Sequence, residues 1–317
     1  MVTSRALAST RETYGKTLLA MAEEYPDIVV LGGDLNISVF THLWRDHEKY
    51  KHRFFDFGPA EQNIMGVAAG LAASGKLPFV STFAVFGTGR PFDQLRVLIA
   101  QPHLNVKVVC THAGILTGED GMSAHGIEDL ALACALPGFT VVSPADSIET
   151  GQAVRAAAAI DGPFYIRLSR AATPVIHRED YRFTLGRSEV VRDGRDLTII
   201  ATGVMVSVSL DAAVLLAGAG ISARVVNMHT LKPVDAETII AAAQDTGAIV
   251  TAEEHYINGG LASIVAQVLG QHHPAPLEMV ALSGYSESGK ADELMVKCGL
   301  TADAVRRAGL AALKRKA

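Results

Sequence analysis

Glu61 stands at the mouth of a segment otherwise built of small and apolar residues. Gly58-Pro59-Ala60-Glu61-Gln62-Asn63-Ile64-Met65-Gly66-Val67-Ala68 runs on into Ala69-Gly70-Leu71-Ala72-Ala73, and an aromatic stretch from Phe79 to Phe86 follows. A carboxyl group at the edge of an apolar, aromatic-walled surface suits acid–base chemistry. A helix N-terminus would also place an acid there, because it complements the helix dipole while small residues allow close packing. Further polar clusters lie along the chain: Gly33-Asp34-Leu35-Asn36-Ile37-Ser38, Thr82 to Arg90, Thr111 to Gly121 and Ser169-Arg170.

The elements that would position these residues follow from hydrophobic period. Helices are expected over 11–22, 61–74, 91–100, 127–135 and 148–160, and buried strands over 27–31, 54–57, 77–82, 106–110, 140–143 and 164–168. Such alternation implies α/β architecture with a doubly wound, mostly parallel sheet and ligands at the carboxyl ends of its strands. Each polar cluster falls at such an end. One such loop is ordinary; five in register make a site. The polar stretch 171–187, with Pro174, marks a domain junction, giving a first domain over 1–175 and a second over 188–317. The second half repeats the α/β pattern with strands over 197–201, 223–227 and 248–253 and helices over 207–217, 236–244 and 260–269. Its Gly218-Ala219-Gly220-Ile221-Ser222-Ala223 fits G-x-G-x-x-A. A dinucleotide loop must follow a strand and open a helix, whereas this one follows a helix and enters a strand, so it reads as a helix-ending turn.

Composition narrows the function class. The 317 residues have room for two cores, and 49% hydrophobic, 19% charged and 6% aromatic residues with 29 Gly favour tightly packed α/β structure. A net charge of -5 argues against a general nucleic-acid surface. The mean hydropathy of +0.25 raises the question of a membrane, yet the apolar run 197–210 is too short and too hydroxylated to span one. Cys110, Cys134 and Cys298 are few and scattered, which points to a reduced, cytoplasmic setting.

The clusters together resemble the transketolase family of thiamine diphosphate (ThDP) enzymes. Thr10-Arg11, Gly33-Asp34-Leu35 with Ser38, Glu61-Gln62, Phe83 and Phe86, His112-Ala113-Gly114-Ile115, Gly118-Glu119-Asp120-Gly121 and Leu168-Ser169-Arg170 fall in that family's order. Leu231-Lys232-Pro233-Val234-Asp235 and Thr251-Ala252-Glu253-Glu254-His255 are similar to its C-terminal domain. The resemblance implies that Glu61 bonds the ring N1′ of the coenzyme's aminopyrimidine and starts catalysis, with Phe83, Phe86 and Arg90 beside the ring. His112 joins Glu61 as a catalytic residue. Arg11, Ser38, His112, Asp120, His125 and Arg170 match substrate positions, where two guanidiniums, a hydroxyl and an imidazole suit the phosphate of a sugar phosphate.

The chain lacks the Gly-Asp-Gly…Asn element that holds Mg²⁺ and the diphosphate in these enzymes, so no metal ligand is assigned to it. The resemblance therefore implies the smaller, C-terminal subunit of a split, ketol-transferring transketolase. ThDP and Mg²⁺ would be shared with a separate diphosphate-binding subunit, and this chain would form the core dimer of an α2β2 assembly. The isolated chain is not expected to hold ThDP measurably. Three residues depart from the family pattern: Ala124 stands where a substrate-facing His is usual, with His125 beside it, Gly89 where many members have Tyr, and Ala113 where a second acid is common. They leave room for a ketose phosphate other than the ordinary pentose phosphates, or for a ketose ending in sulfonate. A β subunit of a 2-oxoacid dehydrogenase E1 and a non-catalytic paralogue are the alternatives. The second domain is expected to serve dimerisation and rigidity, with His229 and His255 as structural histidines.

Overall fold

The computed structural model describes residues 5–316, which form fourteen strands. In chain order they are β1 (Leu7–Ala8), β2 (Ile28–Gly32), β3 (Phe54–Asp56), β4 (Leu77–Phe83), β5 (Lys107–Thr111), β6 (Thr140–Val142), β7 (Phe164–Arg167), β8 (Thr173–Pro174), β9 (Glu189–Arg192), β10 (Leu197–Ala201), β11 (Ala223–Asn227), β12 (Thr230–Lys232), β13 (Ile249–Tyr256) and β14 (Leu277–Leu282). The first sheet has the order β12-β6-β7-β5-β4-β2-β3 and the second β14-β13-β10-β11-β9, while β1 and β8 pair as a short ribbon. All pairs within the two large sheets are parallel except β12 with β6 and β9 with β11.

Strands β2, β4 and β5 are buried along their whole length, as apolar runs covered on both faces should be. Alternation then sorts their side chains. Val29 and Leu31 join Ile64, Met65, Val80 and Ile99 on one face, while Ile28 and Val30 join Tyr14, Leu18, Phe79 and Val154 on the other. Each such side chain contributes roughly 1.5–3 kcal/mol when removed from water. The first of these cores also takes in Val226, Met228, Leu231 and Leu261 from the second half, so the halves share apolar contacts. A third core, around Leu197, Ile199, Leu216, Val250 and Val305, belongs to the second half together with Ile115 and Ile127.

From β2 the chain steps outward to the edge strand β3, then returns past β2 to β4. This reversal opens a crevice at the carboxyl ends of β2 and β4, the usual ligand position in such sheets. Several local expectations are refined. The stretch after β4, read as a loop, is the helix Ala84–Gly89; the helix over 91–100 starts as Phe92–Gln94 and continues as π-helix through Leu95–Ala100; and the loop after β5 contains the 3-10 helix Ile115–Asp120. Strands β9, β12 and β14 and the helices Ala291–Lys297 and Ala302–Arg315 add to the expected pattern. The Gly218–Ala223 segment is a turn: helix Met205–Gly218 ends there, Gly220 takes φ 77, and β11 follows. Among the described residues no helix is long and apolar enough to cross a membrane.

Candidate active site

The turn that delivers Glu61 is built by Asp56 at the end of β3. Its carboxylate accepts the N–H groups of Asp34 and Gly58, both at 3.0 Å, and the side-chain amide of Asn36. Burial works against this carboxylate, yet those hydrogen bonds hold its pKa below the usual range. One residue thus ties the loop after β2 to the loop after β3. Gly58 supports the turn with φ 65, a conformation that suits glycine. Glu61 opens the helix Glu61–Ala73 with its side chain only 5% exposed, and it lines an open groove of about 640 Å³ with Pro59, Ala60, Gln62, Asn63 and Arg90.

Arg90 engages Glu61 on both oxygens, Nη1 donating at 2.9 and 3.0 Å. The same guanidinium lies 4.0 Å over the Phe86 ring, a cation–π contact. Phe86 lies nearly parallel to Phe83, with centroids 5.8 Å apart, and Phe83 stacks on His112 at 3.7 Å. A row of flat groups therefore joins the Glu61 end of the site to the His112 end. Phe83 is buried and Phe86 half-buried, so Phe86 is the ring with an open side.

At the far end Arg11, Ser38, His112 and Arg170 come together. Arg11 donates from Nε to the Arg170 carbonyl at 3.0 Å and from Nη1 to the Ser38 carbonyl at 2.6 Å. Burial, followed by the neighbouring Arg170 charge, pulls the Arg11 pKa down. His112 sits at φ 55, an uncommon conformation for a side-chain-bearing residue, and its carbonyl accepts the Thr117 hydroxyl at 2.7 Å. Burial, then the charges of Arg11 and Arg170, push its imidazole down to about 3, so the ring is neutral. Two guanidiniums that raise each other's electrostatic cost form an anion-receptive corner.

Asp120 ends the helix Ile115–Asp120 with its side chain exposed. His125, expected among the substrate-facing residues, is 1% exposed; it donates from Nε2 to the Gly118 carbonyl at 2.9 Å in the loop that carries Asp120, while its Nδ1 has no hydrogen-bond partner among the described residues. Sequence reasoning missed Asp56, the Arg90–Glu61 pair and the contacts of Glu254 and Ser288 with this loop. His255 donates from Nδ1 to the Tyr256 carbonyl and accepts the Ala131 N–H, and His229 bonds the Thr230 hydroxyl, so both serve structure. Among the described residues no three His, Cys, Asp or Glu side chains gather as a metal site.

Both halves of the chain match known proteins. The transketolase pyrimidine binding domain matches residues 7–175, and the transketolase C-terminal domain matches residues 186–305. The chain is 42% identical to the 6-deoxy-6-sulfo-D-fructose transketolase subunit SqwH of Clostridium sp., over 96% of this chain and 95% of that one. It is 35% identical to an apulose-4-phosphate transketolase subunit of Phocaeicola vulgatus, over 98% and 99% of the two chains. A solved structure described as a split gene transketolase, inactive beta4 tetramer, superposes with a TM-score of 0.90 at 46% identity, covering 98% of this chain and 99% of that chain. The matches cover both halves, and the chain belongs to the transketolase family.

Proposed function

We propose that this chain is the smaller subunit of a split transketolase, moving a two-carbon ketol unit from an anionic ketose to an aldose once joined by a diphosphate-binding subunit. The observation that carries the reading is Glu61, almost buried at a helix start, beside the half-open Phe86 ring and joined through Phe83 to the cationic corner of Arg11 and Arg170. These residues fit the pyrimidine end of ThDP, which supplies a nucleophilic carbon that accepts and passes on the ketol unit. The sequence lacks the Gly-Asp-Gly…Asn element, and on this reading the hard cation would take its ligands from the partner.

Within the working site each residue has a definite task. Glu61 holds a proton at the pyrimidine ring nitrogen. Phe86 covers one face of that ring, and the buried Phe83 keeps water from behind it. Arg90, half exposed, gives up the nearly buried Glu61 carboxylate and turns toward solvent or the coenzyme; because Glu61 would otherwise be left buried and unpaired, the step needs the pyrimidine nitrogen as its replacement partner. Asp120 accepts a substrate hydroxyl next to the reacting carbon, and Arg11, Arg170, Ser38 and the neutral His112 grip the anionic tail. A sulfonate tail is the favoured second reading alongside phosphate, since the relative at 42% identity is named for 6-deoxy-6-sulfo-D-fructose. Self-association of this chain is supported by the split gene transketolase described as a beta4 tetramer.

The test is reconstitution. Neither subunit alone should transfer a ketol unit, the mixture should, and Glu61→Gln should abolish it without preventing assembly. Tight magnesium-dependent uptake of ThDP by the isolated chain, seen by calorimetry, would overturn the two-chain reading. Comparing KM for 6-phospho and 6-sulfo ketoses decides the tail.

A further inference from the structure

Glu253 and Glu254 are neighbours on β13, both withdrawn from solvent, and they face opposite sides as successive strand residues must. Glu253 stays within its own half: it accepts the N–H groups of Leu261 and Ala262 at 2.7 and 2.8 Å and so caps the helix Leu261–His272. Glu254 reaches across to the other half. Its Oε1 accepts the Leu116 N–H at 2.7 Å. The carboxyl group lies so close to Gly114 that a Cβ there would come within 2.3 Å of it, and Gly114 itself takes φ 76. Glu254 thus anchors the start of the helix Ile115–Asp120, the segment that links His112 to Asp120.

The same half adds further contacts to this segment. Ser288 donates from its hydroxyl to the Glu119 carbonyl at 2.6 Å, and the backbone at Gly289 and Ala291 borders Gly118. From the first half, Arg170 donates to the Thr117 carbonyl at 3.1 Å and His125 to that of Gly118. Arg167 binds the Glu254 carbonyl at 2.7 Å and stands 3.9 Å from its carboxylate. Burial pushes the Glu254 carboxyl up to about 7 against the pull of Arg167 and the Leu116 N–H. A carboxylate buried at such cost is a poor device for stability alone, whereas its directional bond to the Leu116 N–H, with the carboxyl packed against Gly114, fixes one geometry.

We propose that Glu254 is a positioning residue for ketol transfer: from the C-terminal domain it fixes the His112–Asp120 segment in its substrate-binding shape, so that this domain takes part in substrate recognition as well as in assembly. The inference rests on the reading of His112, Asp120 and Arg170 as the substrate site.

The experiment uses the reconstituted two-subunit enzyme with a ketose phosphate donor, and amide hydrogen exchange on the same variants. Glu254→Ala should lower kcat/KM about 10- to 100-fold and speed exchange over residues 115–121. Glu254→Gln keeps an acceptor oxygen and should return kcat/KM to within about threefold of the unsubstituted enzyme. Glu253→Ala is the control for lost burial and capping; it should speed exchange over 261–265 and leave kcat/KM within about threefold. Ser288→Ala, at an exposed site that tolerates change, should lower kcat/KM about two- to fivefold and serves if Glu254→Ala fails to fold. Equal losses in Glu253→Ala and Glu254→Ala, or unchanged exchange over 115–121, would overturn the proposal. Arg170→Ala separates the two levels: a loss there with none in Glu254→Ala removes the role of Glu254 alone, while no loss in either removes the substrate-site reading as well.

Discussion

The carboxyl edges of the two large sheets make an instructive pair. Both end in polar residues, as parallel strands with capped crossovers tend to do. In the first sheet these are Glu61, which lines an open groove, and His112 and Arg170, which meet at the cationic corner. In the second they are Thr202, Asn227, His229 and Glu254, and each is buried against the first half. Thr202 donates to the Ser143 carbonyl at 3.4 Å, Asn227 to Glu149 at 2.9 Å, the His229 carbonyl accepts the Ser143 N–H at 2.8 Å, and Glu254 holds Leu116. On the proposed reading one edge is a site, and the other is a joint. Polar strand ends alone do not mark chemistry; what decides is whether a neighbouring domain uses up their hydrogen bonds.

The largest effects should come from exchanging one carboxylate at each edge. Glu61→Gln should cut turnover of the assembled enzyme by about 10²–10⁴-fold, with a melting temperature close to the unsubstituted protein. Glu149→Ala strands the Ala145 N–H, the Tyr181 hydroxyl and the Asn227 amide, and should cost about 3 kcal/mol of stability while leaving the rate of the folded fraction intact. Rate loss without stability loss at Glu149 would erase the distinction. Chemical denaturation and steady-state kinetics on the same preparations decide it.

The joint should also answer to pH. Burial alone would lower the His177 pKa, but hydrogen bonds to Asp146 and Glu189 overcome it and raise the imidazole to about 10. A raised pKa contributes stability in full below the unfolded value near about 6.5, and that contribution is lost as pH rises through the folded value. The protein should therefore lose stability between pH 6.5 and 10, and His177→Ala, less stable at neutral pH by about 3 kcal/mol, should flatten that slope. Denaturation midpoints at several pH values within the window would show it; parallel slopes for the two proteins would remove His177 from the joint.

Smaller changes sharpen the contrast. Arg170→Ala should raise KM for an anionic ketose by about 10- to 100-fold, matching one lost charge-assisted hydrogen bond, with a weaker effect on an uncharged acceptor. Equal effects on both would take the anion away from this corner. At the opposite edge Thr202→Val removes one long hydrogen bond and should cost about 1 kcal/mol or less, with unchanged kinetics. A kinetic effect there would show that joint and site are coupled more tightly than their contacts suggest.

Much of this was legible in the sequence because buried parallel strands carry continuous apolar runs and the site residues sit where those runs stop. The exceptions have physical reasons. Ala-Val-Phe-Gly-Thr-Gly over 84–89 reads as a loop by its two glycines, yet Gly87 lies against the Cys110 sulfur and the Thr82 methyl, and close packing makes the segment helical. Strand β12 has three residues and no period to read; it exists because β6 offers an open edge. Asp56 and Glu254 escaped notice because their partners are backbone N–H groups, which no residue type announces. Glu61 was found but its pairing with Arg90 was not, since they lie 29 positions apart with a strand and a separate helix between them. His125 is expected on the substrate side from the family resemblance; its Nε2 bonds the Gly118 carbonyl, and its buried Nδ1 has no partner among the described residues.

Strand β12 has a consequence for anyone who would recombine such proteins. It comes from the second half of the chain, yet it completes the first sheet, pairing Thr230 with Val142 and Lys232 with Val141, and the Lys232 ammonium binds the Cys134 carbonyl at 3.0 Å. A chimera that takes everything after residue 186 from a homologue therefore imports a foreign edge for its own leading module. Such hybrids should fold well only when the donor's β12 matches the recipient's β6, which makes this three-residue strand the compatibility test for domain exchange.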